Sequence, residues 1–290
     1  LALGEVPDPT PAADQLLVQV QATSLNFGEL PLHTGAPAGT VPGWDAAGVV
    51  VRAAAAGGGP AVGTRVVTQG ANGAWAELRA VSVQSLAVLP DHVDSGAAAT
   101  LPIAGVSALR ALRASGPLLG RRVLVTGASG GVGRYAVQLA HHAGAYVIAV
   151  VGSEARGKGL KELGADEVVV GLDPVTSPVH AVLDNVGGSQ LVRAFQLLAP
   201  GGLVQAIGAA SREPSTFPPG AFVGPDRGIV GFIMLQHGPV GDDLQYLVGL
   251  LATGTLDPQI DWRGNWERAA EAEHLLLARK IAGKAVLDIT

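Results

Sequence analysis

From Val123 to Gly133 the chain reads Val-Leu-Val-Thr-Gly-Ala-Ser-Gly-Gly-Val-Gly. Buried-strand residues run into a turn of small ones, and the turn runs into an apolar stripe at helical spacing. That stripe is Val132, Ala136, Leu139, Ala140 and Ala143, stopped by Gly144. A dinucleotide-binding turn requires this order of parts. Gly130 lets the backbone approach a pyrophosphate, and Gly133 lets the helix lie close to the strand. Free N–H groups at the helix start, the positive end of its dipole, then face the phosphates. Ser129, Gly130, Gly131 and Val132 are therefore candidate phosphate-binding residues. Ala128 replaces the first glycine of G-x-G-x-x-G, so the match is A-x-G-x-x-G.

The same residues spell G-x-S-x-G, the strand–turn–helix elbow that presents a hydrolase's nucleophilic serine. Asp184 and His237 follow Ser129 in the order an α/β-hydrolase uses. Against that reading, residues 1–100 look like a separate β-rich unit, and Gly133 has no part in an elbow. A glycine-rich turn without a ligand is the third and blandest reading.

The end of the next strand discriminates between nicotinamide cofactors. A bare ribose diol takes a carboxylate there, whereas a 2′-phosphate takes a cation. Here the strand ends Val150-Val151-Gly152-Ser153 without an acid in the diol position; Glu154, Arg156 and Lys158 follow. A hydroxyl and a guanidinium suit a phosphate, which makes Gly152, Ser153 and Arg156 candidates and favours NADPH. The alternative, strongest for Lys158, is that these cations form the solvated face of the next helix.

Around this turn the pattern is strands alternating with helices. Strands are expected at 123–126, 145–151, 167–170, 181–184, 203–207 and from Gly228 to Met234. Helices are expected at 155–163 and from Ser189, as N-cap, to Leu198. This alternation means a parallel sheet with right-handed crossovers. Residues 1–100 differ, with short strands expected at 15–23, 48–53, 64–68, 76–81 and 85–89 between glycine-rich turns. In the first, Val18, Val20 and Ala22 face one way and Gln19 and Gln21 the other. The tail reads as helices at 243–252 and 266–279 and a strand at 284–289.

Composition narrows the function classes. At 290 residues, two domains or one large one are expected. There is no Cys, which excludes disulfides, thiolate metal sites, iron–sulfur clusters and a Cys nucleophile. A net charge of −5 with 19 Lys and Arg argues against duplex nucleic acid as a partner. Mean hydropathy is +0.35. Yet the longest apolar runs are strand-sized, far short of the roughly 18 residues a spanning helix needs, so a soluble chain without a membrane partner is expected. The opening on Leu1 reads mid-phrase, which suggests a preceding strand; no signal peptide is visible and the cytoplasm is the default compartment.

Several phrases in order resemble the medium-chain dehydrogenase/reductase superfamily, in its zinc-independent quinone oxidoreductase branch. They are Val6-Pro7-Asp8-Pro9, the run from Ala22 to Glu29 through Asn26-Phe27, Val41-Pro42-Gly43-Trp44-Asp45, and Gly73-Ala74-Trp75-Ala76-Glu77. The glycine turn, Leu163-Gly164-Ala165-Asp166, the run from Leu183 to Gly188 and Gly283-Lys284-Ala285-Val286-Leu287 continue the match. The resemblance implies an α/β chain with a GroES-like β-barrel catalytic domain and a Rossmann doubly wound parallel-sheet domain. By it, residues 1–100 begin the catalytic domain, 101–252 form the Rossmann domain, and 253–290 return to the first. It also implies a cleft between the two and a homodimer through the strand from Gly228 to Met234.

The same resemblance assigns site residues. Asn185 and Val186, with Ile207 and Gly208, are placed against the ribose and nicotinamide, and Phe232 and Ile233 beside the carboxamide. Asn26 is placed to donate an amide N–H to the acceptor's oxyanion, against the alternative of an Asn bracing a turn. Ser107 matches a hydroxyl near the nicotinamide that relays a proton, and is equally well a helix-start hydroxyl. Asp45, Asp184, His33 and His237 read as structural, and Trp44 as core.

Where zinc-dependent relatives carry Cys, His and Cys, this chain has Asn26, Trp44 and Ile103, so no metal is expected. The Tyr that serves related enoyl reductases as proton donor is missing from the stretch His33-Thr34-Gly35-Ala36-Pro37. Gly171-Leu172 stand where some relatives carry a Tyr against the adenosine phosphate. The implied activity is NADPH-dependent hydride transfer to a small-molecule quinone or other α,β-unsaturated carbonyl. The alternative from another class is an NADPH-binding protein with little turnover, crystallin-like or regulatory.

Overall fold

The computed structural model describes residues 3–33 and 35–289; Leu1, Ala2, Thr34, Thr290 and the side chains of His33 and Leu235 lie outside what it describes. The chain forms two compact units, one from residues up to Val106 together with those from Leu235 onward, the other Ser107–Met234.

The first unit opens with strand β1, Gln15–Leu25, whose Gln19 and Gln21 are exposed while Val18, Val20 and Ala22 are buried, as alternation dictates. Helix α1, Leu30–His33, precedes strands β2 (Asp45–Arg52), β3 (Arg65–Gln69), β4 (Leu78–Ser82) and β5 (Leu86–Val88). Helix α2, Ser95–Ala99, is capped by the Asp94 carboxylate on the Ala97 N–H, and a π-helical turn, Leu101–Gly105, follows.

In the second unit, α3 (Val106–Ala114) leads to strands and helices in alternation. These are β6 (Arg122–Val125), α4 (Gly131–His142), β7 (Tyr146–Val151), β8 (Glu167–Val170), β9 (Val179–Asp184), α5 (Gly188–Gln196), β10 (Leu198–Ala206) and β11 (Gly228–Gly231). The sheet order is β11-β10-β9-β6-β7-β8 and every pairing is parallel. The order reverses at β6, so the carboxyl ends of β6 and β9 form the crevice where such sheets bind ligands. Leu124, Ile148, Val182, Phe195 and Val204 belong to its core.

The chain then returns to the first unit with α6 (Gly241–Ala252), β12 (Ile260–Asn265), α7 (Ala269–Leu277) and β13 (Lys284–Asp288). The first unit's sheet runs β12-β13-β1-β2-β3-β5, with β4 also on β1, and all pairings but β12–β13 are antiparallel. No helix among the described residues is long and apolar enough to cross a membrane.

Several expectations change. The helix at 155–163 is reduced to a 3-10 turn, Glu154–Gly157, because Gly157 and Gly159 (φ +80°) interrupt it. Gly187 rather than Ser189 stands at the N-cap of α5, its N–H donating to Asp184 Oδ2 (2.8 Å). The strand expected from Gly228 to Met234 stops at Gly231, and Met234 opens a 3-10 turn. Strand β12 was hidden by its Gly and charged residues, and the 266–279 helix begins only at Ala269 after a 3-10 turn. The unit boundaries also differ from 100/101 and 252/253. Helix α6 buries Leu244, Leu247 and Val248 and packs on β5 and on Leu101–Gly105, so 101–105 and 235–252 join the first unit.

Candidate functional site

In the second unit, the turn after β6 is built around two glycines with different tasks. Gly133 lies in the first turn of α4 against the turn backbone; a Cβ there would stand 2.7 Å from the Ala128 Cα. Gly130 is the N-cap, in extended conformation, and no side chain caps the helix. A Cβ on Gly130 would meet only the Gly127 carbonyl, at 3.4 Å, so the protein's own packing tolerates a methyl there. An uncapped helix start beside a backbone kept bare is the arrangement that admits a phosphate.

The end of β7 comes to this turn. Arg156 Nε donates to Ser129 Oγ (2.9 Å), and the Arg156 N–H to the Ser153 carbonyl (3.1 Å). Gly152 and Ser153 are exposed, Arg156 is half-buried and Ser129 is buried. Lys158 instead points to solvent, its carbonyl accepting from Arg134 Nη2 (2.9 Å).

Asp184 ties the neighbouring strand ends together. Its carboxylate accepts from Thr126 Oγ1 (2.6 Å) and the Gly187 N–H (2.8 Å). Its carbonyl accepts from the Ile207 (2.8 Å) and Gly208 (3.1 Å) N–H groups. Burial holds the Asp184 carboxyl above the usual carboxylate range. Asn185 is pinned to Thr126 through its N–H (3.0 Å) and its Nδ2 (2.9 Å). Asn185, Val186, Ile207 and Gly208 thereby share the carboxyl edge of the sheet. The Phe232 N–H donates to the Ala206 carbonyl (3.0 Å); Phe232 is buried and Ile233 is exposed. Ser107 is buried on α3.

The hydrolase reading fails on this geometry. Ser129 is bonded to Arg156, and Asp184 to Thr126 and Gly187. Among the described residues no hydrogen bond joins either to a histidine, as a nucleophile and its orienting acid would require.

In the first unit, β1, β2 and β13 enclose a polar cluster around Asn26. Asn26 Nδ2 donates to Asp45 Oδ2 (2.8 Å), and its Oδ1 accepts from Lys284 Nζ (2.7 Å). Lys284 Nζ also donates to the Leu25 carbonyl (2.8 Å) and lies 3.6 Å from Asp45 Oδ2, which accepts from Ser24 Oγ (2.8 Å) as well. Glu29 accepts from the backbone N–H groups of Asn26 (2.8 Å) and Trp44 (3.1 Å). Arg79 is fully buried and donates to the Trp44 carbonyl (2.9 Å) and to Thr68 Oγ1 (3.0 Å).

Burial dominates the electrostatics here. It pushes the Glu29 carboxyl up to about 8, Asp45 above its ordinary value, Lys284 below its own, and Arg79 down to about 10. Glu29, Lys284 and Arg79 were not singled out from the sequence. For Arg79 and Lys284 the signal was a charge inside an apolar strand phrase, Leu78-Arg79-Ala80-Val81 and Lys284-Ala285-Val286-Leu287. The Asn26 position itself does not fit a zinc ion: it offers a neutral amide, and an ammonium already bonds the amide oxygen.

A mainly antiparallel unit joined to a doubly wound parallel sheet, with a dinucleotide turn at its switch point, defines a two-domain oxidoreductase. Residues 12–91 match the family model of the alcohol dehydrogenase GroES-like domain, and residues 131–253 that of the zinc-binding dehydrogenase. The chain is 29% identical to the chloroplast envelope quinone oxidoreductase homolog of Arabidopsis thaliana, over 98% of this chain and 92% of that protein. It is likewise 29% identical to the NADPH-dependent alkenal/one oxidoreductase of Arabidopsis thaliana, over 94% and 72%. A mycobacterial protein, Rv1454c, solved in complex with NADPH, superposes with a TM-score of 0.86 at 27% identity, over 98% of this chain and 94% of that one. The chain belongs to the medium-chain dehydrogenase/reductase superfamily, in its quinone oxidoreductase branch.

Proposed function

We propose that the chain transfers hydride from NADPH to a quinone or another α,β-unsaturated carbonyl, without zinc. The observation that carries the cofactor choice is the Arg156 guanidinium held on Ser129 at the uncapped start of α4. The strand that brings it there ends without a carboxylate. The relatives named for quinone, for alkenal/one and for NADPH support the same reading.

When bound, the nicotinamide supplies the hydride; the chain binds, orients and shields. The N–H groups at Gly130, Gly131 and Val132, with Ser129, hold the pyrophosphate, and Gly152, Ser153 and Arg156 hold the 2′-phosphate. Asn185, Val186, Ile207, Gly208, Phe232 and Ile233 border the ribose and nicotinamide. Asn26 donates an amide N–H to the oxygen on which negative charge develops. Both acceptor classes need one hydride and one proton. An amide does not give up its proton near neutral pH, so that proton comes from water, relayed by Ser107. Without a Lewis acid to ionise an alcohol, reduction of an already electrophilic acceptor is the chemistry that remains.

The test is nicotinamide absorbance over time with NADPH or NADH and panels of quinones and enones. Oxidation of NADPH in preference to NADH is expected. Tight NADPH binding with no turnover on any acceptor would refute the enzyme and leave the binding protein.

Two further proposals accompany this one. The chain forms a homodimer through the β11 edge, supported by exposed Val230 there and by exposed Phe222 and Val223 before it. Its compartment is the cytoplasm, where NADPH is abundant, although both plant relatives are named for the chloroplast.

A further inference from the structure

The Asn26 side chain is held between two buried charges of opposite sign. Its oxygen accepts from the Lys284 ammonium at 2.7 Å and its nitrogen donates to the Asp45 carboxylate at 2.8 Å. Lys284 is 2% exposed and Asp45 not at all, so water competes for neither contact. An amide flipped about its last torsion would set NH2 against ammonium and oxygen against carboxylate, two repulsive contacts in a low dielectric. One orientation is therefore fixed. Among the described residues Nδ2 makes no second hydrogen bond, so one N–H remains for a ligand. The ammonium on Oδ1 also draws electron density from the amide and makes that N–H a stronger donor.

Stability does not explain these charges. A buried ion pair costs so much desolvation that apolar residues of similar volume often do as well or better. The residues beside Lys284 on β13, Ala285, Val286 and Leu287, are buried and apolar. The backbone of Asn26 is already held by Glu29 Oε1 on its N–H (2.8 Å), so the Lys284–Asp45 pair is left to act on the side chain.

We propose that Lys284 and Asp45 are positioning residues that fix the side-chain amide of Asn26 as a preset, polarised donor to the acceptor's oxygen. The donor role rests on the hydride-transfer reading above. The fixed amide does not.

Two measurements test this. The first uses the unmodified, 15N-labelled protein with NADPH. The Asn26 side-chain amide should show two strongly inequivalent hydrogens and exchange with water at least tenfold more slowly than an exposed Asn. Resonances and exchange like those of a free Asn would overturn the positioning, whether or not the protein turns over.

The second is the charge-neutral pair Asp45→Asn with Lys284→Met, kept in one chain so that no buried charge is left alone. NADPH affinity, set in the other unit, should stay within twofold of the unmodified protein. Meanwhile kcat with a quinone should fall ten- to a hundredfold and the Asn26 amide signal should move to the free-Asn position. A folded double variant with unchanged kcat overturns the proposal. No turnover by the unmodified protein overturns the hydride-transfer reading and the donor role with it, while the amide signal still decides the positioning.

Discussion

Two glycines three residues apart should respond oppositely to the same methyl group. In Gly133→Ala the new Cβ would stand 2.7 Å from the Ala128 Cα and 2.8 Å from the Ala128 carbonyl carbon, and closer still to the Gly127 oxygen. These are backbone atoms, so no rotamer change relieves them; α4 must move off the turn by several tenths of an ångström or more. Overpacking of this kind costs about 1–3 kcal/mol. Alanine's better helix propensity returns at most about 1 kcal/mol. With three backbone atoms within 2.8 Å the upper part of that cost applies, so at roughly 2–4 °C per kcal/mol for a domain of this size Tm should fall by about 2–10 °C. In Gly130→Ala the methyl meets only the Gly127 carbonyl, at 3.4 Å. The loss of a favourable N-cap glycine costs about 1 kcal/mol at most. Yet in the proposed binding mode the methyl occupies the face a pyrophosphate approaches, so NADPH affinity should fall at least tenfold. Thermal unfolding paired with an NADPH titration reads both effects. An unchanged Tm in Gly133→Ala, or unchanged NADPH affinity in Gly130→Ala, would refute the assignment of these glycines.

Arg156→Ala should weaken NADPH by about 1.5–3 kcal/mol, the usual worth of a hydrogen bond to a charged group, or roughly ten- to 150-fold. NADH affinity should hold, and equal losses for both cofactors would remove the 2′-phosphate from the picture. Lys284→Met alone strands a buried carboxylate and should cost about 3–5 kcal/mol in urea unfolding; a loss under 1 kcal/mol would mean Asp45 is neutral in the fold. The Glu29 carboxyl is held at about 8 by burial against an ordinary 4.5, so the folded chain keeps a proton there that the unfolded chain releases. Its contribution to stability is full below about pH 4.5 and drains away as pH rises through about 8. Urea midpoints at pH 5.5 and 8 should therefore differ less in Glu29→Gln than in the unmodified protein. If the proposed homodimer forms, Val230→Glu, at a position 45% exposed on β11, should convert it to monomers in sedimentation. A single monomeric species before the substitution would sink the dimer.

The second unit was legible because its signals are local. A strand–turn–helix with glycines at two fixed places, and short apolar runs alternating with helical stripes, already imply a parallel sheet and its ligand-binding edge. Arg156 was legible for the same reason, since it follows the strand that must end beside the turn. Local signals also failed where glycine intervened: 155–163 carries a helical stripe, but Gly157 and Gly159 unwind it. Strand β12 was missed because it pairs only with β13 and its short Ile260–Trp262 alternation is broken by Gly264 and interleaved with charges.

What the sequence by itself determined is the class of chain, the dinucleotide turn and the absence of zinc-type ligands at the matching positions. These depend on residues adjacent or nearly so in the chain. Only the tertiary structure decided what surrounds Asn26. Asp45 is 19 residues away from it and Lys284 is 258. They meet because β13 and β2 flank β1, pairing Leu25 with Ala285 and Ser24 with Asp45. Whether a lone Lys or Asp in an apolar strand is a solvated edge residue or half of a buried pair depends on which strands become neighbours. That is fixed by burial across the whole sheet and leaves no trace at either position alone.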